Sequence, residues 1–203
     1  MRPEILRSRL ARSADARSAD AAALGIDGDE GHALRHPMGG RIPAAVLLGL
    51  VAREGGPHLL LTQRTAHLKD HAGQISLPGG RIETTDADAV AAALREAHEE
   101  IGLDPSGVEI LGELPVYDTI TGFRIHPVVG WIERPSALVP DPFEVADVFE
   151  VPLAFALDPR NHERDSYERD GRRREFFVLR WQDRYIWGAT AGILVNFARM
   201  MAD

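Results

Sequence analysis

Residues 95–103 constrain this chain most, because they combine a helical apolar pattern with a run of acids. The segment reads Arg-Glu-Ala-His-Glu-Glu-Ile-Gly-Leu. In a helix with ~100° per residue, four apolar side chains of this region superimpose on one narrow stripe: Val90, Leu94, Ala97 and Ile101. This stripe predicts an amphipathic helix that packs on a core. Thr85 is expected to cap its start, and Gly102 to lie just past its end.

Three carboxylates share another face of this helix. Glu96, Glu99 and Glu100 are spaced at i, i+3 and i+4, a spacing at which like charges destabilise a helix. Arg95 stands one turn before Glu99, so these two can pair, which leaves Glu96 and Glu100 facing outward together. Poorly compensated carboxylates of this kind suit a hard divalent cation. Taken alone, an ordinary solvated acidic face explains the run equally well.

The residues before this helix form a second motif. Gln74–Leu77 is a short apolar run typical of a strand, and Pro78-Gly79-Gly80 follows as a tight turn in which no Cβ blocks a ligand. A strand, a glycine turn, an acidic loop and a helix with Arg-Glu-x-x-Glu-Glu-x-Gly together resemble the Nudix box, the signature of the Nudix hydrolases. Six positions match the box residue by residue: Gly80, Arg95, Glu96, Glu99, Glu100 and Gly102.

The resemblance implies a fold and a chemistry. The fold is α/β, a Nudix-like α/β/α sandwich with a mixed sheet, here with an N-terminal helical extension. The reaction is hydrolysis of a nucleoside diphosphate linked to another group, with Mg²⁺ or Mn²⁺ as the cofactor. Glu96 and Glu100 are then the first metal ligands. Glu99, oriented by Arg95, binds a second ion or helps to place a water.

One position departs from the box. The usual loop glutamate lies eight residues before the arginine, and Ala87 occupies that position because the loop is one residue longer here. Asp86 is the expected replacement, with Asp88 as the other candidate. Nudix enzymes often use a further carboxylate outside the box as general base or extra ligand. Glu144 is the candidate for that catalytic role.

The block upstream of the box narrows the resemblance to one branch. Leu60-Leu61-Thr62-Gln63-Arg64, followed by residues 68–74, looks like the motif of the coenzyme A diphosphatases. That branch cleaves coenzyme A or acyl-coenzyme A to 4′-phosphopantetheine, or its acyl form, and adenosine 3′,5′-bisphosphate. Six residues are candidates for substrate binding: Arg64, Lys69, His71, Gly79, Gly80 and Arg81. Two alternatives stay open: a Nudix diphosphatase acting on ADP-ribose, dinucleotides or oxidised nucleotides, and a non-catalytic Nudix-fold binding module.

Composition limits the partners. A net charge of −8 over 203 residues argues against a nucleic-acid binder, which usually carries a basic patch. An anionic substrate would need metal ions and a few basic side chains at its binding site to offset this charge. No apolar stretch approaches the ~20 residues that cross a bilayer. The chain contains no cysteine, which excludes the isopentenyl diphosphate isomerases, thiol-dependent relatives with the Nudix fold. We expect a cytoplasmic enzyme with a small-molecule substrate and no nucleic-acid or membrane partner.

The chain is expected to contain one catalytic domain behind an extension. Residues 1–36 are predicted to form a helical extension and linker, and residues 37–203 the Nudix domain. Ile5, Leu6 and Leu10 share one side of the helix, so the extension packs on the domain or on a partner subunit in a homodimer. Further predictions are strands at 44–51, 58–62, 108–116 and 125–132, short helical pieces within 144–157, an exposed loop or hairpin tip at 161–174, a hairpin at 175–187 and an apolar helix at 189–201.

Overall fold

The structure is a computed structural model that describes residues 1–16, 40–68, 71–135, 137–169 and 172–202. Lys69 and the predicted boundary between extension and domain at 36/37 lie outside these ranges. Within them the chain forms an eight-stranded sheet, a separate three-stranded sheet and four α-helices. This arrangement confirms the predicted α/β fold with a mixed sheet and an N-terminal helix. None of the described helices is long and apolar enough to cross a membrane.

The central sheet is built around two long parallel strands. Its strands are β1 (Ile42–Val51), β2 (His58–Arg64), β3 (Ile75–Ser76), β4 (Gly79–Arg81), β5 (Val108–Glu113), β6 (Tyr117–Asp118), β7 (Phe123–Ile132) and β8 (Val145–Pro152). β1 and β7 pair in parallel along their whole length, and the other pairs are antiparallel. The order is β3-β2-β1-β7-β5, with β4 beside β1, β6 beside β7 and β8 beside β2. The apolar run of β1 suits a strand that is covered on both faces.

Helices cover both faces of this sheet. They are α1 (Pro3–Ala16), α2 (Ala89–Ile101), α3 (Leu153–Leu157) and α4 (Gly188–Ala202). Successive side chains of a strand point to opposite faces, so Leu48 and Leu50 of β1 join one core, and Ala45 and Leu47 join the other. The first core contains residues of α1, α3 and α4, and the second contains residues of α2. The acidic helix therefore stands alone on its face of the sheet.

Helix α1 packs against its own domain. Leu6 and Leu10 are buried where α1 contacts β5 and α4, and Arg7 forms an ion pair with Glu109. Ile5, which was predicted to share this face, is instead 47 % exposed. The apolar face of α1 is occupied within the chain and is therefore not free to form a subunit interface.

The short helical pieces predicted within 144–157 are confirmed in part, by α3 at the end of this segment. Residues 145–152 form β8, and only α3 is helical. β8 pairs with β2 along its whole length, from His58 opposite Pro152 to Arg64 opposite Val145. The ladder hydrogen bonds and the packing of a sheet thus override the local sequence pattern.

The charged segment 161–174 and the predicted hairpin form one small antiparallel sheet. Its strands are β9 (Glu163–Arg169), β10 (Arg172–Trp181) and β11 (Arg184–Trp187). Phe176 packs between two other rings, with centroids 5.8 Å from Tyr167 and 5.6 Å from Trp187. β11 contacts β3 and leads directly into α4. The small sheet therefore packs beside the central sheet at the β3 edge.

Candidate active site

The acidic helix α2 starts later than predicted. Asp88, not Thr85, is the N-cap, because its side chain accepts a hydrogen bond from the amide of Ala91 at 2.8 Å. The loop before it is closed by Asp86, whose side chain accepts from the amide of residue 83 at 2.8 Å. At the other end Gly102 is left-handed, with φ 65°, which confirms the predicted helix end.

The buried stripe of α2 is rotated relative to the prediction. Ala92 and Ala93 are fully buried, whereas Val90 and Leu94, which were predicted to face the core, are only partly buried. Small alanines allow the helix to lie close to β1 and β4, the two strands that it contacts most. This rotation moves the side chain at position 100 from the outer face into the buried one.

The three carboxylates of α2 consequently have different environments. Glu100 is buried, with only 4 % of its surface exposed, and Glu96 is largely covered. Glu99 remains exposed, with 57 % of its side chain in solvent. The expectation that Glu96 and Glu100 face outward as a pair is therefore wrong. The sequence spacing correctly predicted that these two side chains share one face of α2. It could not show that this face packs against the glycine turn.

Arg95 ties together the acids around the start of α2. It donates two parallel hydrogen bonds to Asp86, Nε to Oδ1 and Nη2 to Oδ2, each 2.9 Å long. It also donates to Glu96 Oε1 at 2.9 Å, to Glu99 Oε2 at 3.0 Å and to the carbonyl of Arg81 at 3.0 Å. The bonds to Asp86 raise the pKa of Arg95 and lower the pKa of Asp86. The expected pair with Glu99 is present, but Arg95 engages Glu96 and the loop acid as well.

The glycine turn approaches these acids so closely that it has no room for side chains. Gly79 has φ 154°, and a Cβ there would overlap the carbonyl oxygen of Ala45 and the backbone of Val46. A Cβ at Gly80 would overlap the Glu96 carboxylate. The amide of Gly79 donates to Glu100 Oε2 at 3.2 Å. The turn thus presents backbone directly to the carboxylates.

Gly79→Ala is expected to destabilise the protein by about 2–5 kcal/mol, because it combines a strained φ with a backbone overlap. Gly107→Ala is the matched control, since nothing lies within 4 Å of a Cβ at that position. Thermal unfolding followed by circular dichroism measures both variants. Equal melting temperatures for the two would contradict the close approach at Gly79.

Glu100 has the most perturbed acidity of the cluster. Burial raises the pKa of its carboxyl to about 8, the amide of Gly79 and the charge of Arg64 oppose this rise, and the charges of Glu96 and Glu144 add to it. Arg64 Nη1 lies 3.7 Å from Glu100 Oε1. Burial also raises the pKa of Glu96, although the hydrogen bond from Arg95 opposes that rise. Burial therefore makes two acids of this site resist ionisation.

Glu144 reaches the cluster from the connection before β8. The amide of Asp141 donates to the carbonyl of Glu100 at 2.9 Å, and the amide of Thr65 donates to the carbonyl of Glu144 at 2.9 Å. These bonds fix the connection between α2 and the end of β2. The charge of Glu144 raises the pKa of both Glu96 and Glu100, so its carboxylate faces the same space as theirs.

The donor set suits a hard cation. Mg²⁺ and Mn²⁺ prefer carboxylate oxygens, and a divalent cation held by Glu96 and Glu100 would offset the burial and the like-charge repulsion that raise the pKa values of these two groups. Over the described ranges no three acidic or histidine side chains already converge on one metal position. Arg95 holds one oxygen each of Glu96 and Glu99. The chemistry fits a metal, and Glu96 and Glu99 each keep one carboxylate oxygen that Arg95 does not bind.

A cavity of about 800 Å³ begins beside this cluster, between the central sheet and the small sheet. Its walls are mostly apolar: Val46, Ile75, Leu77, Ile120, Phe123 and Trp187. None of the described residues that line it is Asp or Glu, whereas Arg64 and Arg81 contribute positive charge. The described cavity wall therefore carries positive charge, and the carboxylates of the cluster stand beside it.

The structure brings together the predicted substrate-binding residues that it describes. All five line the cavity: Arg64, His71, Gly79, Gly80 and Arg81. Lys69 lies outside the described ranges. Sequence reasoning missed the turn at 119–121 and Phe123, whose ring lies 5.9 Å from the Arg81 guanidinium. Only the parallel pairing of β1 with β7 brings that turn to the cavity, and no local motif signals it.

Comparisons with known proteins agree with this site. A family model for the NUDIX domain matches residues 40–170. The uncharacterized Nudix hydrolase NudL of Escherichia coli (strain K12) is 48 % identical over 157 residues, which cover 76 % of this chain and 80 % of the relative. NudL of Shigella flexneri is 47 % identical over 166 residues, covering 81 % and 84 %. A crystal structure of a MutT/nudix family protein from Enterococcus faecalis is similar with a TM-score of 0.50 at 14 % identity, covering 89 % of this chain and 69 % of that one, and shows the fold alone.

The matched region contains the parts from which the site is built. Residues 40–170 include the glycine turn, helix α2 with Arg95 and its acids, and Glu144. Nudix hydrolases generally use divalent metal ions, in agreement with the cluster of carboxylates on α2. The chain belongs to the Nudix hydrolase family and is an enzyme that cleaves diphosphate bonds.

Proposed function

We propose that the enzyme hydrolyses the diphosphate bond of coenzyme A or acyl-coenzyme A. The products are 4′-phosphopantetheine, or its acyl form, and adenosine 3′,5′-bisphosphate. The observation that carries this proposal is the cavity that begins at Arg64 and the glycine turn, because it is mostly apolar and no described lining residue is acidic. A pantetheine arm is long and alternates apolar segments with amide groups, and an acyl chain extends its apolar length, so both suit mostly apolar walls with a few polar side chains. Arg64, His71 and Gln74 of the upstream motif line this cavity.

In this proposal the diphosphate lies between the cavity and the carboxylate cluster. Glu96, Glu99 and Glu100 hold Mg²⁺ or Mn²⁺, which when bound neutralises the diphosphate and lowers the pKa of the attacking water. Arg64 donates to a phosphate oxygen of coenzyme A, and its Nε is buried without a hydrogen-bond partner in the described structure. Glu144 accepts a proton from the water that attacks phosphorus, and the bond from that phosphorus to the bridging oxygen breaks.

One alternative changes only the substrate, and the other removes the catalytic activity. ADP-ribose, dinucleotides and oxidised nucleotides keep the same chemistry and replace only the group that enters the cavity. Membership of a hydrolase family, with all three glutamates of α2 in place, argues against a binding module without catalysis. A homodimer and a cytoplasmic location stay predictions from the sequence, and light scattering of the full chain in solution tests the first of them.

A substrate panel with product identification tests the proposal. The full chain is assayed with Mg²⁺ and with Mn²⁺ against coenzyme A, an acyl-coenzyme A, ADP-ribose and a dinucleoside polyphosphate, and products are identified by mass spectrometry. We expect 4′-phosphopantetheine and adenosine 3′,5′-bisphosphate to form with the highest kcat/KM. A higher kcat/KM for ADP-ribose would replace coenzyme A with that alternative.

Arg64→Ala is expected to raise KM for coenzyme A by about 10-fold or more, in the range of a lost charge-assisted hydrogen bond. KM for ADP-ribose should rise less, because Arg64 belongs to the motif that resembles the coenzyme A branch. Steady-state kinetics on both substrates measure the difference. Arg53→Ala is the control, since Arg53 pairs with Glu150 at the surface. Equal effects on the two substrates would remove Arg64 from substrate discrimination.

A further inference from the structure

Two aromatic side chains are exposed beside the carboxylate cluster. Phe143 has 65 % of its surface in solvent, although large apolar side chains are usually buried. His67 is also exposed and contacts Phe143, with ring centroids 4.9 Å apart and ring planes at 60°. Neither ring lines the cavity. We call these two rings the aromatic platform.

The platform is held in place by its backbone. The amide of Phe143 donates to Asp141 Oδ1 at 2.8 Å, and the hydroxyl of Thr65 donates to the carbonyl of Phe143 at 2.8 Å. The amide of Asp141 in turn bonds to the end of α2 at the carbonyl of Glu100. A ring presented on a fixed backbone loses little conformational freedom when a ligand covers it, which favours binding.

The platform also borders the place where the diphosphate is proposed to lie. Phe143 directly precedes Glu144, whose charge raises the pKa of Glu96 and Glu100. His67 follows Arg64 by three residues, and Arg64 lines the cavity and faces Glu100. The cavity and the platform are therefore two separate surfaces, and the platform lies on the two segments that carry Arg64 and Glu144.

We propose that the aromatic platform stacks on the nucleobase of the substrate, while the cavity takes the other half. This inference rests on the proposed function, because a diphosphate that joins two groups needs one surface for each. Every nucleobase has a π-face, so an aromatic side chain can stack on any of the bases. Phe143 and His67 are thus binding residues for the nucleotide half.

The polarity of the cavity and of the aromatic platform indicates which half of the substrate each of them binds. A purine carries ring nitrogens and, in adenine, an amino group, and burying these without partners is unfavourable. The cavity is mostly apolar, whereas an exposed ring covers one face of the base and leaves its polar edge in water. The arm of the other half is flexible and contains apolar segments, which an acyl chain lengthens, so the mostly apolar cavity suits it better.

Kinetics of Phe143 variants test the platform. Phe143→Ala should raise KM about 5-fold to 100-fold, the range of base–aromatic stacking, and leave kcat within about twofold. Phe143→Tyr keeps a ring and should bind like the parent, whereas Phe143→Leu keeps apolar area without a ring and should behave like Phe143→Ala. On a substrate with hydrogen in place of adenine at the ribose carbon, all variants should match the parent. Ile5→Ala, an exposed apolar change on α1, is the control.

A binding measurement separates this inference from the proposed function. F143W should show saturable fluorescence quenching by adenosine 5′-monophosphate beyond that of the parent, and I5W should not. This readout requires no turnover, so it decides the inference even if no substrate in the panel is cleaved.

Several results would overturn the platform. They are an unchanged KM for Phe143→Ala on the base-containing substrate, an equal rise in KM on the base-free one, and no added quenching in F143W. A change from dimer to monomer in Phe143→Ala, measured by light scattering, would instead assign Phe143 to a contact with a second copy of the chain.

Discussion

Glu100→Gln is expected to reduce kcat by about 1,000-fold or more, a loss of about 4 kcal/mol of transition-state stabilisation. Glutamine keeps the shape of the side chain and can still accept the hydrogen bond from Gly79. It removes the negative charge that the proposed cation requires beside Glu96 and Glu144. Near-parental turnover would remove Glu100 from the metal ligands. Glu54→Gln, a change at an exposed turn, is the control and should leave kcat unchanged.

The same variant should be more stable than the parent when no metal is present. Burial raises the pKa of Glu100 from 4.5 to about 8 in the folded protein, so the folded state binds more protons than the unfolded one. The parent therefore loses stability as the pH rises from about 4.5 to about 8, whereas glutamine does not titrate.

Thermal unfolding in the presence of a chelator measures this difference. At pH 5 the two proteins should melt at nearly the same temperature. At pH 8 we expect Glu100→Gln to be more stable by about 2–4 kcal/mol, since one pKa unit corresponds to about 1.4 kcal/mol and relaxation of the site reduces the full shift. If Glu100→Gln melted at a lower temperature than the parent at pH 8, Glu100 would not be a destabilising buried charge.

Arg95→Lys is expected to lower kcat by about 100-fold and the melting temperature by roughly 2–6 °C, because lysine cannot reproduce a planar fork of five donors. Arg95 bonds to Asp86, Glu96, Glu99 and the Arg81 carbonyl at once. An ammonium group reaches only part of this set, so the loop and both glutamates lose their fixed positions. Circular dichroism melting and steady-state kinetics with Mg²⁺ measure the two effects.

Arg53→Lys is the matched control for that experiment. Arg53 also makes a two-bond pair, with Glu150 at 2.9 and 2.6 Å, but at the surface and away from the site. Exposed ion pairs contribute little to stability, in the range of ~0–1 kcal/mol. A similar loss of activity in both variants would mean that Arg95 has no special role beside the carboxylate cluster.

The local elements of the fold could be predicted because their causes are local. The apolar runs of β1 and β7, the helical spacing in α4 and the glycine after α2 each follow from properties of a few adjacent residues. Predictions failed where a distant partner decided the outcome. Residues 145–152 form a strand because β2 lies beside them. The helix start failed for a local reason, because Asp88 rather than Thr85 accepts the hydrogen bond that caps α2.

For the site, the sequence by itself determined that Arg95 and the three glutamates of α2 lie together, because a helix repeats every 3.6 residues. Tertiary structure alone decided their environments. Packing on the sheet buries Glu100 against Gly79 and leaves Glu99 in water. It also brings Glu144 to the cluster and assembles the cavity from strands far apart in sequence. Burial and charge repulsion depend on neighbours in space, and no local pattern contains that information.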